Sequence, residues 1–188
     1  MKVLLFQPRS AAGNRESCEH LVGRVLIDNL DSLYSTACRL TGRADLAEDL
    51  VQETARKALK GATYLKSERN VRGWLFTILV NSVRDHLRRG EVWEVVDPED
   101  CGPEIDCDLQ SLSLATVQDV REALSRLTPP QRAAVVLVDI EEFTIAEAAN
   151  MLGVPPGTVA SRLARAHQEL RGFLRAYRTE TFQRGGQP

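Results

Sequence analysis

Residues 144–166 read TIAEAANMLGVPPGTVASRLARA, and they decide the fold of the C-terminal half. Thr144 followed three residues later by Glu147 forms a capping box, which predicts a helix start, and Gly153 predicts the end of that helix. Pro156 predicts the start of a second helix. A short helix, a glycine turn and a second helix are typical of a helix-turn-helix, whose second helix presents its N-terminal turns to a DNA groove.

The pattern around this motif is helical throughout. Thr128-Pro129-Pro130-Gln131 forms another capping box and predicts a helix that includes Ala133–Ile140. The last helix is predicted from about Pro156 to Tyr177. Its outward positions are polar: Thr158, Ser161, Arg162 and Arg165. Because helical hairpins with a glycine turn also occur in ordinary bundles, this pattern alone leaves simple packing open as an alternative.

Three helices are predicted in the N-terminal half, over about Asp28–Thr41, Ala44–Leu59 and Val71–Arg89. The second has a carboxylate-rich outer face formed by Asp45, Glu48, Asp49, Gln52 and Glu53. The third presents a polar face formed by Thr77, Asn81, Arg84, Asp85 and Arg88. Trp74 has the spacing of the apolar face, which predicts core packing rather than a stacking role.

The charge distribution divides the chain. Residues 91–113 carry eight carboxylates and no basic residue, so the rest of the chain has a formal charge of +6 although the total is −2. The sequence therefore predicts an all-α protein in which two small helical domains, residues 25–90 and 114–178, are joined by an acidic flexible linker, and the C-terminal domain is a helix-turn-helix. Two mildly basic lobes remain compatible with a nucleic-acid partner.

The two ends of the chain are treated separately. Residues 1–24 are interpreted as an N-terminal extension, either a regulatory arm or a disordered start, and residues 179–188 as a tail. No run approaches the roughly 18 apolar residues of a membrane span, and the apolar start is too short for a secretion signal. These features predict a cytoplasmic protein with no membrane span.

Catalytic and metal-binding motifs are missing from the sequence. The four cysteines, Cys18, Cys38, Cys101 and Cys107, form no Cys-x-x-Cys pair, and Cys38 is predicted to be a small core residue. The three histidines show no ligand-like spacing. We find no phosphate-binding glycine loop and no nucleophile elbow. The sequence therefore predicts no metal site, no cofactor and no enzyme activity.

Three segments resemble one family. Residues 144–166 look like the promoter-reading helix-turn-helix of bacterial RNA polymerase sigma factors of the extracytoplasmic-function class. Residues 45–56, DLAEDLVQETAR, and residues 74–89, WLFTILVNSVRDHLRR, resemble the other conserved domain of that class. The resemblance implies a sigma factor that binds core RNA polymerase, recognises and melts the −10 element of promoter DNA with its N-terminal domain, and binds the −35 element with its C-terminal domain.

The resemblance also implies roles for individual residues. Asp49, Gln52 and Glu53 match positions that contact core polymerase. The implied −10 contacts are Lys66, Arg69, Asn70, Asn81, Arg84, Asp85 and Arg88. The implied −35 contacts are Thr158, Ser161, Arg162 and Arg165. Ala160 and Ala164 depart from the family pattern, where larger side chains are common, so −35 recognition is expected to depend on backbone contacts and DNA shape.

Two further partners or roles follow from the resemblance. The acidic linker would pass through the polymerase cleft and mimic the charge of RNA, with a solubilising spacer as the alternative. An anti-sigma factor would hold the protein inactive. Two other classes remain. A helix-turn-helix regulator acting without polymerase would leave the N-terminal lobe unexplained, and a small metal-dependent enzyme would need a ligand set that the sequence does not offer.

Overall fold

The computed structural model describes residues 11–64, 70–88 and 114–184. The N-terminal lobe contains α1 (Ala11–Asp28), α2 (Leu30–Thr41), α3 (Ala44–Gly61), a short 3-10 turn (Ala62–Tyr64) and α4 (Val71–Arg88). The C-terminal lobe contains α5 (Leu114–Arg126), α6 (Pro129–Val135), a π turn (Val136–Ile140), α7 (Ile145–Leu152) and α8 (Pro156–Arg184). These ranges hold helices and no strand, which confirms the all-α prediction; the predicted acidic linker lies outside them.

Glycines end two of the helices as predicted. Gly42 follows α2 with a φ of 75° and donates its N–H to the carbonyl of Cys38 at 2.7 Å. Gly153 follows α7 with a φ of 63° and ψ of 38°. Both lie in the left-handed region, which a residue with a Cβ adopts only with strain. The second glycine sets the angle between the two helices of the helix-turn-helix.

The first helix corrects the interpretation of the N-terminus. Residues 1–24 were expected to be an extension, but α1 begins at Ala11 and buries Cys18, Val22 and Leu26 against the rest of the N-terminal lobe. It packs on the 3-10 turn, α3 and α4. A disordered start is therefore wrong from Cys18 onward, because apolar side chains at helical spacing complete the core. The domain boundary at residue 25 stays a prediction. Residues 1–10, with the apolar Val3–Phe6, lie outside the described residues.

The N-terminal core forms around α4. Leu75, Phe76 and Leu79 are completely buried, and Leu33 of α2 is completely buried too. Trp74 is partly buried and packs against this core, which confirms the prediction of core packing. Cys38 is also buried, as predicted. Each large apolar side chain buried in this way contributes about 2 kcal/mol to folding, and together they fix the polar face of α4 toward the outside.

The C-terminal lobe begins its helices with the predicted capping boxes. The N–H of Glu147 donates to Thr144 Oγ1 at 3.2 Å, and the N–H of Thr144 donates to Glu147 Oε2 at 3.0 Å. Gln131 accepts a reciprocal bond from the N–H of Thr128 at 2.9 Å. These bonds satisfy amide groups that the first turn of a helix leaves without intrahelical partners.

A buried arginine ties α5 to α6. Arg132 donates from Nε to the carbonyl of Leu124 at 2.8 Å and from Nη2 to the carbonyl of Ser125 at 2.9 Å. Burial lowers the pKa of Arg132, but these carbonyls at the C-terminal end of α5 stabilise the charge. The contact holds the long α5 at a fixed angle to the helix-turn-helix.

The two lobes pack against each other. α4 lies along α7, while α2 contacts α6 and the π turn. The rings of Phe76 and Phe143 meet edge-to-face, with centroids 5.0 Å apart. The buried apolar side chains of both lobes form one continuous cluster, so in this conformation the lobes share a core.

Candidate nucleic-acid interface

The N-terminal half of α8 is held by its apolar face. Val159 and Ala166 are completely buried and Leu163 is 7% exposed. The turn before the helix is closed by the N–H of Thr158, which donates to the carbonyl of Pro155 at 2.9 Å. Because residues three and four apart share a face of a helix, this burial turns the intervening positions toward solvent.

The four residues predicted to contact the −35 element lie on that outer side. Ser161 and Arg165 are exposed, while Thr158 and Arg162 are half-buried. Ser161 donates its hydroxyl to the carbonyl of Thr158 at 2.9 Å. Ala160, also exposed, adds no polar group. The structure therefore places the four residues together at the start of the second helix of the motif, with Ser161 and Arg165 open to solvent and Arg162 lining a groove between the lobes.

The seven residues predicted to contact the −10 element fall into four groups. Asn81, Asp85 and Arg88 are exposed on α4. Arg84 is half-buried, and its Nη2 donates to the carbonyl of Met151 at 3.2 Å, across the boundary between the lobes. Lys66 and Arg69 lie outside the described residues. A further residue, Asn70, takes part in the start of α4.

Asn70 has a structural role in this conformation. Its Oδ1 accepts from the N–H of Gly73 at 2.8 Å, as an N-cap side chain does, and its Nδ2 donates to Glu147 Oε1 at 3.1 Å in the other lobe. A Cβ on Gly73 would lie only 2.6 Å from the same Oδ1. Asn70 is thus held between the first turn of α4 and the first turn of α7.

The carboxylate face of α3 exists, but basic neighbours offset part of it. Asp49 and Gln52 are exposed. Glu53 accepts from Arg56 at 2.6 and 2.7 Å and pairs with Lys57 at 3.4 Å. Mainly because of the hydrogen bonds from Arg56, the pKa of Glu53 falls to about 2. Glu53 therefore stays ionised at neutral pH.

Among the described residues, the most enclosed charged group is Glu141, which the sequence pattern does not single out. It directly follows the π turn, and its side chain is 5% exposed. Its carboxylate accepts from Ser32 Oγ at 2.5 Å, Thr36 Oγ1 at 2.7 Å and Arg72 Nη2 at 2.8 Å. All three donors belong to the N-terminal lobe, at least 69 positions away in the sequence. Arg39 of the same lobe forms a longer ion pair, with its Nη1 3.9 Å from Glu141 Oε1.

Arg72 completes this contact. Besides the carboxylate, it donates from Nη1 to the backbone carbonyl of Glu141 at 3.1 Å. Its guanidinium carbon lies 4.8 Å from the ring centroid of Phe76 and 4.4 Å from that of Phe143. The adjacent Glu142 has a φ of 59°, an uncommon conformation for a residue with a Cβ. The chain is bent sharply where Glu141 enters the N-terminal lobe.

Comparisons with known proteins agree with this arrangement. The family model described as Sigma-70 region 2 matches residues 26–92, and the one described as Sigma-70, region 4 matches residues 117–170. The ECF RNA polymerase sigma factor SigM of Mycobacterium tuberculosis is 40% identical over 137 residues, covering 72% of this chain and 68% of the relative. The chain belongs to the ECF class of RNA polymerase sigma factors. It is thus a subunit that binds core RNA polymerase and directs it to promoter DNA.

Other relatives of this sigma factor match over most of its length. EcfG of Rhodopseudomonas palustris is 36% identical and covers 80% of this chain and 83% of the relative. The solved structure of the sigma factor RpoE in complex with the anti-sigma factor NepR, from Bartonella quintana, has a TM-score of 0.69 and 31% identity, over 81% of this chain and 96% of that one. The Sigma-70 region 2 model matches the N-terminal lobe, which a helix-turn-helix regulator acting without polymerase would leave unexplained. The match therefore argues against that alternative.

Neither a metal site nor a membrane-spanning helix is found among the described residues. No three His, Cys, Asp or Glu side chains within residues 11–64, 70–88 and 114–184 lie close enough together to hold a metal ion. In the same ranges, none of the helices combines the length and the apolar character needed to cross a membrane. Cys101 and Cys107 lie outside these ranges.

Proposed function

We propose that the two lobes divide promoter recognition. The N-terminal lobe, residues 25–90, binds core RNA polymerase and the −10 element, and the C-terminal lobe, residues 114–178, binds the −35 element. The polar row on α8 carries this proposal, because Ser161 and Arg165 are exposed at the start of the second helix of a helix-turn-helix. The acidic segment, residues 91–113, joins the lobes. Catalysis belongs to the polymerase, and the protein acts with it in the cytoplasm.

The polymerase contact is assigned to α3. Asp49 and Gln52 are exposed, and Glu53 remains ionised, so this face suits a basic partner surface. Replacing Asp49 with Lys should weaken binding to core polymerase about tenfold, because a like charge then faces the partner. Glu19→Lys, at an exposed position of α1, makes the same charge change elsewhere and should leave binding unchanged. Equal binding by both variants would overturn this assignment.

The −10 contact is assigned to α4 and the segment before it. Asn81 and Asp85 offer hydrogen-bonding groups to base edges, and Arg88 offers a cation to the phosphate backbone. Melting requires capture of unstacked bases, which costs a few kcal/mol per base pair step. Asn81→Ala should therefore lower transcription from duplex promoters more than from templates with a premelted −10 region. An equal loss on both templates would contradict a role in melting.

The −35 contact is assigned to α8. Arg165 is exposed and aimed outward, so it is the residue expected to contact a phosphate or a guanine edge. Transcription from a pool of promoters randomised over both elements should show weaker enrichment of the upstream element for Arg165→Ala and unchanged enrichment for Arg171→Ala. Arg171 is exposed further along the same helix and serves as the matched control.

Regulation by an anti-sigma factor is the last part of the proposal. It is supported by the likeness to RpoE, whose solved structure contains the anti-sigma factor NepR. The test is transcription in the presence of the protein encoded beside this gene. Loss of promoter-dependent transcription that returns when core polymerase is added in excess would support competition. Unchanged transcription would remove that protein as the inhibitor.

A further inference from the structure

Glu141 makes a contact that is unusual for a glutamate. Its carboxylate is nearly sealed from water and receives three hydrogen bonds from the opposite lobe, from Ser32, Thr36 and Arg72. Thr36 itself is completely buried. The N-terminal lobe thus supplies the donors of a carboxylate pocket, and the C-terminal lobe supplies the carboxylate.

The physical chemistry of this contact makes it all-or-none. Moving a carboxylate out of water is costly, and only a full set of donors compensates for the lost hydration. If the lobes move apart slightly, the bonds break before water can replace them. The contact therefore favours two states, fully closed and fully separated, over intermediate positions.

The closed state conflicts with the proposed function. Arg84, assigned to the −10 element, and Arg162, assigned to the −35 element, line the same groove of about 230 Å³ between the lobes. The centres of the two promoter elements lie about 25 base pairs apart, or about 85 Å at 3.4 Å per base pair. One conformation cannot place neighbouring arginines on both elements, so the lobes must separate when the promoter is bound.

The closed state also engages residues assigned to DNA. Asn70 donates to Glu147, and Arg84 donates to the carbonyl of Met151 at the C-terminal end of α7. A cation at that end of a helix is stabilised by the helix dipole. These groups become available to DNA only after α7 leaves α4.

We propose that Glu141, held in the pocket formed by Ser32, Thr36 and Arg72, is a latch that keeps the free sigma factor closed and hides part of its promoter-binding surface. This proposal rests on the proposed function for its consequence, but not for its structural basis. Core polymerase opens the latch by binding the separated lobes better than the closed ones, since a partner shifts an equilibrium only by its difference in affinity for the two states.

The experiment is small-angle X-ray scattering on the purified full-length protein without polymerase or DNA. Glu141→Gln keeps the size of the side chain, but replaces one acceptor oxygen with an amide that cannot accept. The variant should shift the equilibrium toward the open state about tenfold or more, and the radius of gyration should rise by about 3 Å or more. Glu142→Gln is the matched control, because it makes the same change at the exposed neighbour and should scatter like the wild type.

Two further variants protect the test against misfolding. If Glu141→Gln loses helical circular dichroism, Ser32→Ala and Thr36→Val take its place, since each removes one donor from the N-terminal side. Both should raise the radius of gyration, and their double variant should raise it further. If the folded variants all scatter like the wild type, the latch is wrong. Because the measurement contains no polymerase, a failure of transcription would count against the proposed function alone.

Discussion

Two glutamates show how burial changes the structural role of hydrogen bonds and ion pairs to a carboxylate. Glu53 on α3 accepts two hydrogen bonds from Arg56 and pairs with Lys57, all within one turn of helix and facing solvent. Glu141 accepts three hydrogen bonds from side chains of another lobe and is nearly buried. The bonds have similar lengths, but only the second set connects distant parts of the chain.

Water explains the difference. When two exposed charges form an ion pair, they lose favourable contacts with water and gain an attraction of similar strength. The net contribution of the pair to stability is therefore small. A buried carboxylate is cut off from water, so losing Arg72 leaves Glu141 with Arg39, 3.9 Å away, as its remaining cationic partner. The α3 pairs are therefore suited to a surface that must remain charged for a partner, whereas the Glu141 contact is suited to holding two lobes together.

The largest expected difference in stability is between a variant without Arg72, the partner of Glu141, and a variant without Arg56, a partner of Glu53. Arg72→Ala should lower the free energy that holds the lobes together by about 2 kcal/mol, because Glu141 loses a charged donor and two aromatic rings lose their stacked guanidinium. Arg56→Ala, in the exposed pair, should leave stability unchanged. Urea unfolding followed by circular dichroism measures both. If the two variants were equally stable, burial would not distinguish the two contacts.

A smaller effect is expected from two completely buried threonines. Thr36 donates to Glu141 in the other lobe, whereas Thr54 donates at 2.7 Å to the carbonyl of Leu50 in its own helix. Thr36→Val should cost about 1 kcal/mol, because the carboxylate loses a donor. Thr54→Val should cost much less, since the Leu50 carbonyl keeps its helical partner. Thermal unfolding compares the pair, and the reverse order would contradict a special role for the contact with Glu141.

The smallest effect concerns the pH dependence of the exposed pair. The pKa of Glu53 is lowered from 4.5 to about 2 by its partners, chiefly Arg56, so its stabilising contribution is fully present above pH 4.5 and is lost as the pH falls toward 2. NMR titration of the Glu53 carboxyl should find a pKa below 4.5, with the shift reduced because solvent screens this exposed pair. In Arg56→Ala the pKa should move up toward 4.5. An unchanged low value in that variant would show that Arg56 is not its main cause.

Local signals in the sequence predicted most of the fold. The capping boxes at Thr128 and Thr144 and the glycines at 42 and 153 act within a few residues, so their consequences can be seen in the sequence itself. The outer faces of α3, α4 and α8 follow from the helical period in the same way. The helix α8 extends to Arg184, past the predicted end at Tyr177, because no proline or glycine interrupts it after Gly172.

Two features could not be predicted because they depend on distant partners. Only the packing of α1 against α3 and α4 shows that Val22 belongs to the core. Glu141 follows the π turn as one of two adjacent glutamates, and nothing in the local sequence distinguishes it from Glu142. Its donors are brought to it only when the lobes close.

Transcription from the randomised promoter pool, with core polymerase and the wild-type sigma factor, tests the central claim most directly. The account predicts that the enriched templates share two elements, upstream and downstream, with a nearly constant spacing of about 85 Å along the duplex between their centres. Both lobes are then bound at once in the separated state. Enrichment of a single element, or transcription that does not depend on the added protein, would contradict the account.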